Sequence, residues 1–143
     1  NSQYDRKEEL DVITFIKELR PSLDILSNGV SIEEEFLVGS LNVTANRTLF
    51  ESLVNNLVVN AIRHNRPEGE IKLRVTRRSL IISNTSSEPA LDPRLLFNRF
   101  YRPSEKTKGN GLGLAIVKSI CDYHGWQGAY HYEEGQHFFT VTF

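Results

Sequence analysis

LFESLVNNLVVNAIRHN, residues 49–65, decides how the rest of the chain is read. Phe50, Leu53, Val54, Leu57, Val58 and Ala61 recur at helical spacing and form a broad apolar face, which makes the segment a core helix. Asn46 precedes it as an N-cap and Pro67 follows just past its end, so a helix is predicted from Asn46 to His64. Asn56, Asn60, Arg63 and His64 stand three or four residues apart or adjacent and line one edge of that face. An amide left unsatisfied at the border of a buried face costs about 1–3 kcal/mol. Two amides one turn apart, followed by a guanidinium and an imidazole, therefore form a ligand-facing set. The asparagine carbonyl is a hard, neutral oxygen suited to Mg²⁺ that also carries phosphates and waters, with Arg63 and His64 near phosphate or ribose. Taken alone, the segment reads equally well as an amphipathic helix whose polar side holds asparagine.

A second stretch, GNGLGLAIVKSI (109–120), sets Gly109, Gly111 and Gly113 at alternate positions directly before a helix. Glycines there admit positive φ and let backbone N–H groups approach an anion with no Cβ in the way. The helix N-terminus adds unpaired donors and a partial positive charge, a combination suited to polyphosphate. The spacing is neither the dinucleotide GxGxxG nor a Walker A loop, since no Gly-Lys-Ser/Thr is present. As an isolated pattern it also fits a plain loop-to-helix junction.

Between them lies LFNRFYRPSEKTK (96–108), in which Phe97 and Phe100 would anchor a segment whose Arg99, Arg102, Lys106 and Lys108 remain free. The 143-residue chain carries a formal net charge of −1, yet residues 94–118 hold six bases against one acid, and residues 1–51 hold ten acids against five bases. The basic excess fits a lid that meets an anion; the acidic half fits a solvated surface. The neutral total gives no argument for nucleic acid or an anionic membrane. A single cysteine, Cys121, excludes an internal disulfide, a CxxC pair and a cysteine-rich zinc site. No run approaches 18 apolar residues. The absence of methionine and the start at Asn1-Ser2-Gln3 are expected of a fragment or processed piece.

Elsewhere the pattern predicts a short helix from Glu8 to Arg20 stopped by Pro21, and strands at Leu23–Leu26 and Glu35–Val38 around a Ser27-Asn28-Gly29 turn. It predicts a hairpin of Ile71–Val75 and Leu80–Ile82, a short helix at Ala90–Phe97, and a helix at Leu112–Tyr123 ended by His124-Gly125. A last hairpin, Gln127–Tyr132 with Phe138–Phe143, turns at Glu134-Gly135. Strands arrive in adjacent pairs, which argues against a doubly wound parallel sheet. The expectation is one α+β domain spanning 1–143, an antiparallel or mixed sheet with helices on one face.

These pieces, in this order, resemble the ATP-binding catalytic domain of bacterial sensor histidine kinases. That family belongs to the GHKL superfamily, which also holds gyrase-type topoisomerases and mismatch-repair ATPases. Asn56-Leu57-Val58-Val59-Asn60-Ala61 resembles the N box, Leu96-Phe97-Asn98-Arg99-Phe100-Tyr101-Arg102 the F box, and Gly109 to Lys118 the G2 box. The resemblance runs from about residue 10 to the end and implies a two-layer α/β sandwich, the Bergerat fold. It implies that Asn60 supplies a Mg²⁺ ligand with Asn56 nearby, and that Arg63 and His64 contact phosphate or ribose. Arg102 would face the phosphates from the lid. The backbone of Gly109, Asn110, Gly111, Leu112, Gly113 and Leu114 would wrap the β- and γ-phosphates. The γ-phosphoryl would pass to a histidine on a separate dimerisation domain of the same or a sister chain, with a response regulator downstream. A two-component kinase of this type implies a cytoplasmic domain whose parent is anchored in the inner membrane, with no nucleic-acid partner and no direct membrane contact from this portion. Such transfer depends on positioning and charge neutralisation more than on a covalent catalyst.

One box departs. The family's G1 box is DxGxG after a strand, its Asp accepting from the adenine amino group; here Asn84 falls at the Asp, Ser86 at the first glycine and Glu88 at the second. An asparagine carbonyl still accepts that hydrogen bond, but without charge assistance, so nucleotide affinity is expected to be reduced and not abolished. A domain that has lost ATP and persists as an interaction module, or a gyrase-like ATPase, are the alternative readings. None of the four histidines, His64, His124, His131 and His137, has the setting of a phosphoacceptor, the last two falling in the final hairpin as strand or surface residues.

Overall fold

The structure, a computed structural model, describes residues 6–86, 89–90 and 113–143. The order is β1 (Glu8–Asp11), α1 (Val12–Ser27), β2 (Ser31–Phe36), β3 (Asn42–Ala45), α2 (Arg47–Arg63), β4 (Glu70–Val75), β5 (Ser79–Thr85), α3 (Gly113–His124), β6 (Gln127–Glu133) and β7 (Gln136–Thr142). Helix α2 starts where the extended Asn46 accepts the Leu49 N–H through Oδ1 at 3.0 Å, satisfying one of the unpaired donors of the first turn. Its six apolar-face residues are each 1% exposed or less.

Five strands form a sheet in the order β2-β4-β5-β7-β6, with β2 parallel to β4 and every other pair antiparallel. Alternation sorts the two faces. Ile71, Leu73 and Val75 of β4, Leu80 and Ile82 of β5, and Phe139 and Val141 of β7 are buried. Lys72 and Arg74 point the other way and reach Glu35 of β2 at 3.5 and 3.1 Å. Helix α2 packs on β4 and β5, α1 on β2, and α3 on β6 and α2, so the helices cover the apolar face. This is the expected two-layer, mostly antiparallel arrangement. A separate two-stranded sheet joins β1 to β3, with Leu10 opposite Val43.

The N-terminal third departs from the predicted pattern. Glu8–Asp11 is a strand, and the helix begins only at Val12, capped by Asp11, whose Oδ1 accepts from Leu41 N–H at 2.8 Å and whose Oδ2 accepts from Thr14 Oγ1 at 2.8 Å. Burial raises the Asp11 carboxyl, but these donors outweigh it and hold the group below the ordinary carboxylate range. Pro21 does not stop α1; it lies inside it, on the exposed side. Interior proline costs about 3 kcal/mol or more. The turns on either side are held by Arg20, which donates to Asp24 and Glu34 at 2.8 Å and to the Ile32 carbonyl at 2.7 Å, and by the burial of Leu23 and Ser27. The predicted strand Leu23–Leu26 is therefore helix, with Leu23 fully buried and Ile25 82% exposed. Asn28 and Gly29 end that helix at positive φ, 45° and 97°, in place of a hairpin turn. Strand β2 lies at Ser31–Phe36, earlier than the predicted Glu35–Val38, and β3 was not anticipated.

The later elements agree closely with the sequence pattern: β4 with β5, α3, and β6 with β7 fall within a few residues of expectation. Nearly all of the predicted helix Ala90–Phe97, and the whole basic segment after it through Leu112, lie outside the described residues.

Candidate functional site

Two contacts on α2 bring the separate motifs together. At its middle, Asn56 donates Nδ2 to the Ser52 carbonyl at 2.7 Å and to Ser52 Oγ at 3.2 Å. With the amide nitrogen tied down, Oδ1 faces the start of α3, where a Cβ added to Gly113 would sit 3.3 Å from it. Glycine at 113 thus permits close approach between the helix bearing the two asparagines and the helix that follows the glycine loop. Beyond the end of α2, Asn65 Oδ1 accepts from Thr85 Oγ1 at 2.6 Å, and Thr85 Oγ1 accepts from Glu70 N–H at 3.0 Å. Asn65 Nδ2 also donates to the Glu70 carbonyl at 3.1 Å. Gly69 lies inside this ring of bonds, and a Cβ there would overlap the Asn65 and Thr85 side chains. The end of β5, with Asn84, is thereby pinned to the end of α2, with Asn60, Arg63 and His64.

Each predicted residue has a definite setting. Asn60 is half-buried, its amide makes no hydrogen bond among the described residues, and its Nδ2 is buried without a partner. Arg63 is exposed in the last turn of α2 and makes no ion pair among the described residues. His64 caps that helix, 7% exposed, its N–H donating to the Asn60 carbonyl at 3.1 Å. Asn84 is 1% exposed; Nδ2 donates to the Thr85 carbonyl at 3.0 Å, and Oδ1 is buried with no partner. Gly113 and Leu114 open α3, Leu114 packing against the core. Arg102, Gly109, Asn110, Gly111 and Leu112, with Glu88 of the altered box, lie outside the described residues.

An acceptor buried without a donor costs about 1–3 kcal/mol, so such an atom calls for a partner. Asn84 Oδ1 is such an atom at the end of a strand, with its orientation fixed by the Thr85 carbonyl. The Asn60 amide is a second group open to a ligand on the facing helix. An unpartnered acceptor at Asn84 and an unpartnered amide donor at Asn60 are compatible with a ligand that offers a donor to the first and an acceptor to the second. Asn55 Oδ1 is also buried without a partner, one residue away from the Asn56–Asn60 edge.

The histidines settle differently. His124 Nδ1 lies 2.8 Å from the Ile120 carbonyl, and Nε2 accepts the Asn46 N–H at 3.1 Å, so the ring is neutral with its proton on Nδ1. Burial lowers its proton affinity, only partly opposed by the Ile120 carbonyl. The ring stacks on Trp126 at 4.1 Å and fastens the end of α3 to the start of α2. His131 stands exposed on β6. His137 is no surface residue: it is 1% exposed on β7, directly opposite Asn84, and shares a 2.7 Å hydrogen bond with the Tyr130 hydroxyl.

Sequence reasoning missed Asn65, Thr85 and Gly69, which join the two ends of the site, and His137 with Tyr130. The signal for His137 was its register: once the final hairpin turns at Glu134-Gly135, His137 shares the inward face with Phe139 and Val141.

Residues 45–143 match the family described as histidine kinase-, DNA gyrase B- and HSP90-like ATPase. The sensor histidine kinase HprS of Escherichia coli K12 is 32% identical over 143 aligned residues, which take in 94% of this chain and 31% of that protein. The heme sensor protein HssS of Staphylococcus aureus strain JH9 is 32% identical over 111 residues, 72% of this chain and 24% of its own length. The chain thus spans less than a third of the relatives it matches. Among solved structures, the mycobacterial sensor histidine kinase MprB superposes with a TM-score of 0.80 at 22% identity, covering 94% of this chain and 95% of that one. The catalytic domain of histidine kinase ThkA superposes at 0.74 with 25% identity, covering 95% of each. With the family match over residues 45–143 and the shared fold, the chain belongs to the histidine kinase-, DNA gyrase B- and HSP90-like ATPase family, as an ATP-binding catalytic domain of the sensor histidine kinase type.

Proposed function

We propose that this domain holds ATP·Mg²⁺ between α2 and α3 and presents the γ-phosphoryl to a histidine on a separate dimerisation domain, with a response regulator as the next acceptor. The observation that carries the reading is the buried, partnerless carbonyl of Asn84, fixed in orientation and pinned beside the end of α2. Asn84 accepts from the adenine amino group. Asn60 offers a neutral oxygen to Mg²⁺, which when bound neutralises phosphate charge. Asn56 holds the approach between α2 and α3, and the resemblance assigns contacts to phosphate or ribose to Arg63 and His64 and contacts to the phosphates to Gly109 through Leu114 and Arg102. No side chain performs covalent chemistry; the chain's part is orientation and electrostatics.

The acceptor histidine lies on another domain. His64, His124 and His137 are engaged within the fold, and His131 is 59% exposed on an edge strand beside Glu133, away from the α2 edge. Among the described residues no helix is long and apolar enough to cross a membrane. Anchoring of the parent in the inner membrane, with this domain on the cytoplasmic side, is part of the same proposal.

Isothermal titration of the chain with ATP and GTP, with and without Mg²⁺, is the test. ATP binding strengthened by Mg²⁺ and preferred over GTP is expected, with no stable incorporation of radiolabelled phosphate into this chain alone. Asn60→Asp is expected to change the Mg²⁺ dependence of affinity. Absence of nucleotide binding, or equal binding of ATP and GTP, overturns the proposal.

A further inference from the structure

Strand β5 ends at Asn84 and Thr85, and the backbone ladder does not hold that end equally on both sides. Toward β7 the register runs to Thr85 opposite Gln136, whereas toward β4 it stops at Asn84 opposite Ile71. Beyond that point Thr85 is tied to β4 and α2 through its side chain: Oγ1 accepts from the Glu70 N–H at 3.0 Å and donates to Asn65 Oδ1 at 2.6 Å. Asn65 Nδ2 closes the ring on the Glu70 carbonyl at 3.1 Å. Asn65 stands one residue past His64, the cap of α2, so the ring couples the end of that helix to the end of β5. It bears directly on Asn84, because the Thr85 carbonyl is the group to which Asn84 Nδ2 donates at 3.0 Å. Wherever the Thr85 peptide sits, the Asn84 amide follows, and its unpartnered Oδ1 with it.

We propose that Asn65 and Thr85 are positioning residues of the nucleotide site: their mutual bond holds Asn84 where its carbonyl meets the adenine amino group. Both act through Asn84. The effect is one of equilibrium. A strand end freed on the β4 side spreads over several positions, and only those that keep Oδ1 at the base are competent to bind. Apparent affinity falls in proportion to that competent fraction. Loss of a hydrogen bond of ordinary net strength lowers the fraction to roughly a third to a tenth.

The inference rests on the ATP reading above, and its test separates the two. ATP and GTP are titrated into the wild-type chain, Thr85→Val, Thr85→Ser and Asn65→Ala, at a temperature where thermal denaturation shows each variant fully folded. Thr85→Val keeps the side-chain shape, removes the hydroxyl and is expected to raise the ATP dissociation constant about three- to tenfold. Asn65→Ala raises it in the same direction. Thr85→Ser retains the hydroxyl and returns the constant to within about twofold of wild type. GTP affinity changes by less than about twofold throughout, since a 6-oxo group makes no use of the Asn84 acceptor. A merely structural pair lowers the thermal midpoint and leaves the ATP affinity of the folded chain unchanged, which overturns the inference. An equal loss for ATP and GTP, or a serine variant as weak as the valine one, overturns it too. Should Thr85→Val not fold, Asn65→Ala decides by the same criterion. A wild-type chain that binds neither nucleotide, or both equally, overturns the ATP reading and this inference with it.

Discussion

Replacing Asn84 by leucine should move fold stability and nucleotide affinity in opposite directions. Leucine copies the branched shape of asparagine without its polar atoms. In the ligand-free chain the substitution removes one hydrogen bond, Nδ2 to the Thr85 carbonyl, worth about 1 kcal/mol net. It also removes the buried, partnerless Oδ1, whose desolvation penalty is about 1–3 kcal/mol. The balance runs from no change to roughly 2 kcal/mol of added stability, or up to about 6 °C in midpoint for a domain of this size. ATP binding loses the acceptor for the adenine amino group and leaves that group buried and unpaired, about 1–3 kcal/mol, which is roughly 5- to 150-fold in dissociation constant. Differential scanning calorimetry of the free chain and isothermal titration with ATP·Mg²⁺ read the two quantities separately. An intact variant whose ATP affinity stays within about twofold of wild type shows that Asn84 does not meet the base. A midpoint lowered by more than about 5 °C shows that the Asn84 carbonyl is satisfied in the folded chain.

Three further outcomes are expected. His124 titrates below its unfolded value because burial disfavours the cation, so its contribution to stability is complete above about pH 6.5 and is lost as pH falls through the lowered folded value; urea midpoints measured between neutral pH and pH 5 should fall less steeply in His124→Phe. Gly69→Ala drives a methyl into Asn65 and Thr85 and breaks their mutual bond and the Glu70 N–H to Thr85 bond, about 2 kcal/mol by urea denaturation, with weaker ATP binding because the Asn84 end of β5 shifts. Cys121 is 2% exposed with its thiol pushed up to about 11 by burial, so Ellman's reagent at pH 8 should react with it only after unfolding.

The region from Asn46 onward was legible because its signals are local. An N-cap, a helical apolar stripe and hairpins with glycine or arginine turns each act within a few residues, and α2, β4, β5, α3, β6 and β7 appear where those signals stand. The first 45 residues misled because their signals are weak or contradicted by contacts far along the chain. Pro21 reads as a stop, yet Arg20 bonds to Glu34 and the Ile32 carbonyl keep the helix running past it. Strands β1 and β3 have four residues each, too few for alternation to register, and exist because Leu10 and Val43 pair across 33 positions of sequence.

The chemistry divides along the same line. Residue type and spacing by themselves determined that an amide-edged helix and a glycine-led helix were present; that Asn84 stands in place of an aspartate is what the resemblance implies. Those are properties of helical periodicity and side-chain inventory, which the one-dimensional order carries completely. Only tertiary structure decided which end of the Asn84 amide is left open, because its Nδ2 donates to the Thr85 carbonyl while Oδ1 is buried with no partner. It also decided that His137 is buried across from Asn84 with Tyr130 behind it, and that Asn65 and Thr85 join the two ends of the site. Burial and cross-strand pairing arise from the whole sheet closing on its helices, and no single segment contains them.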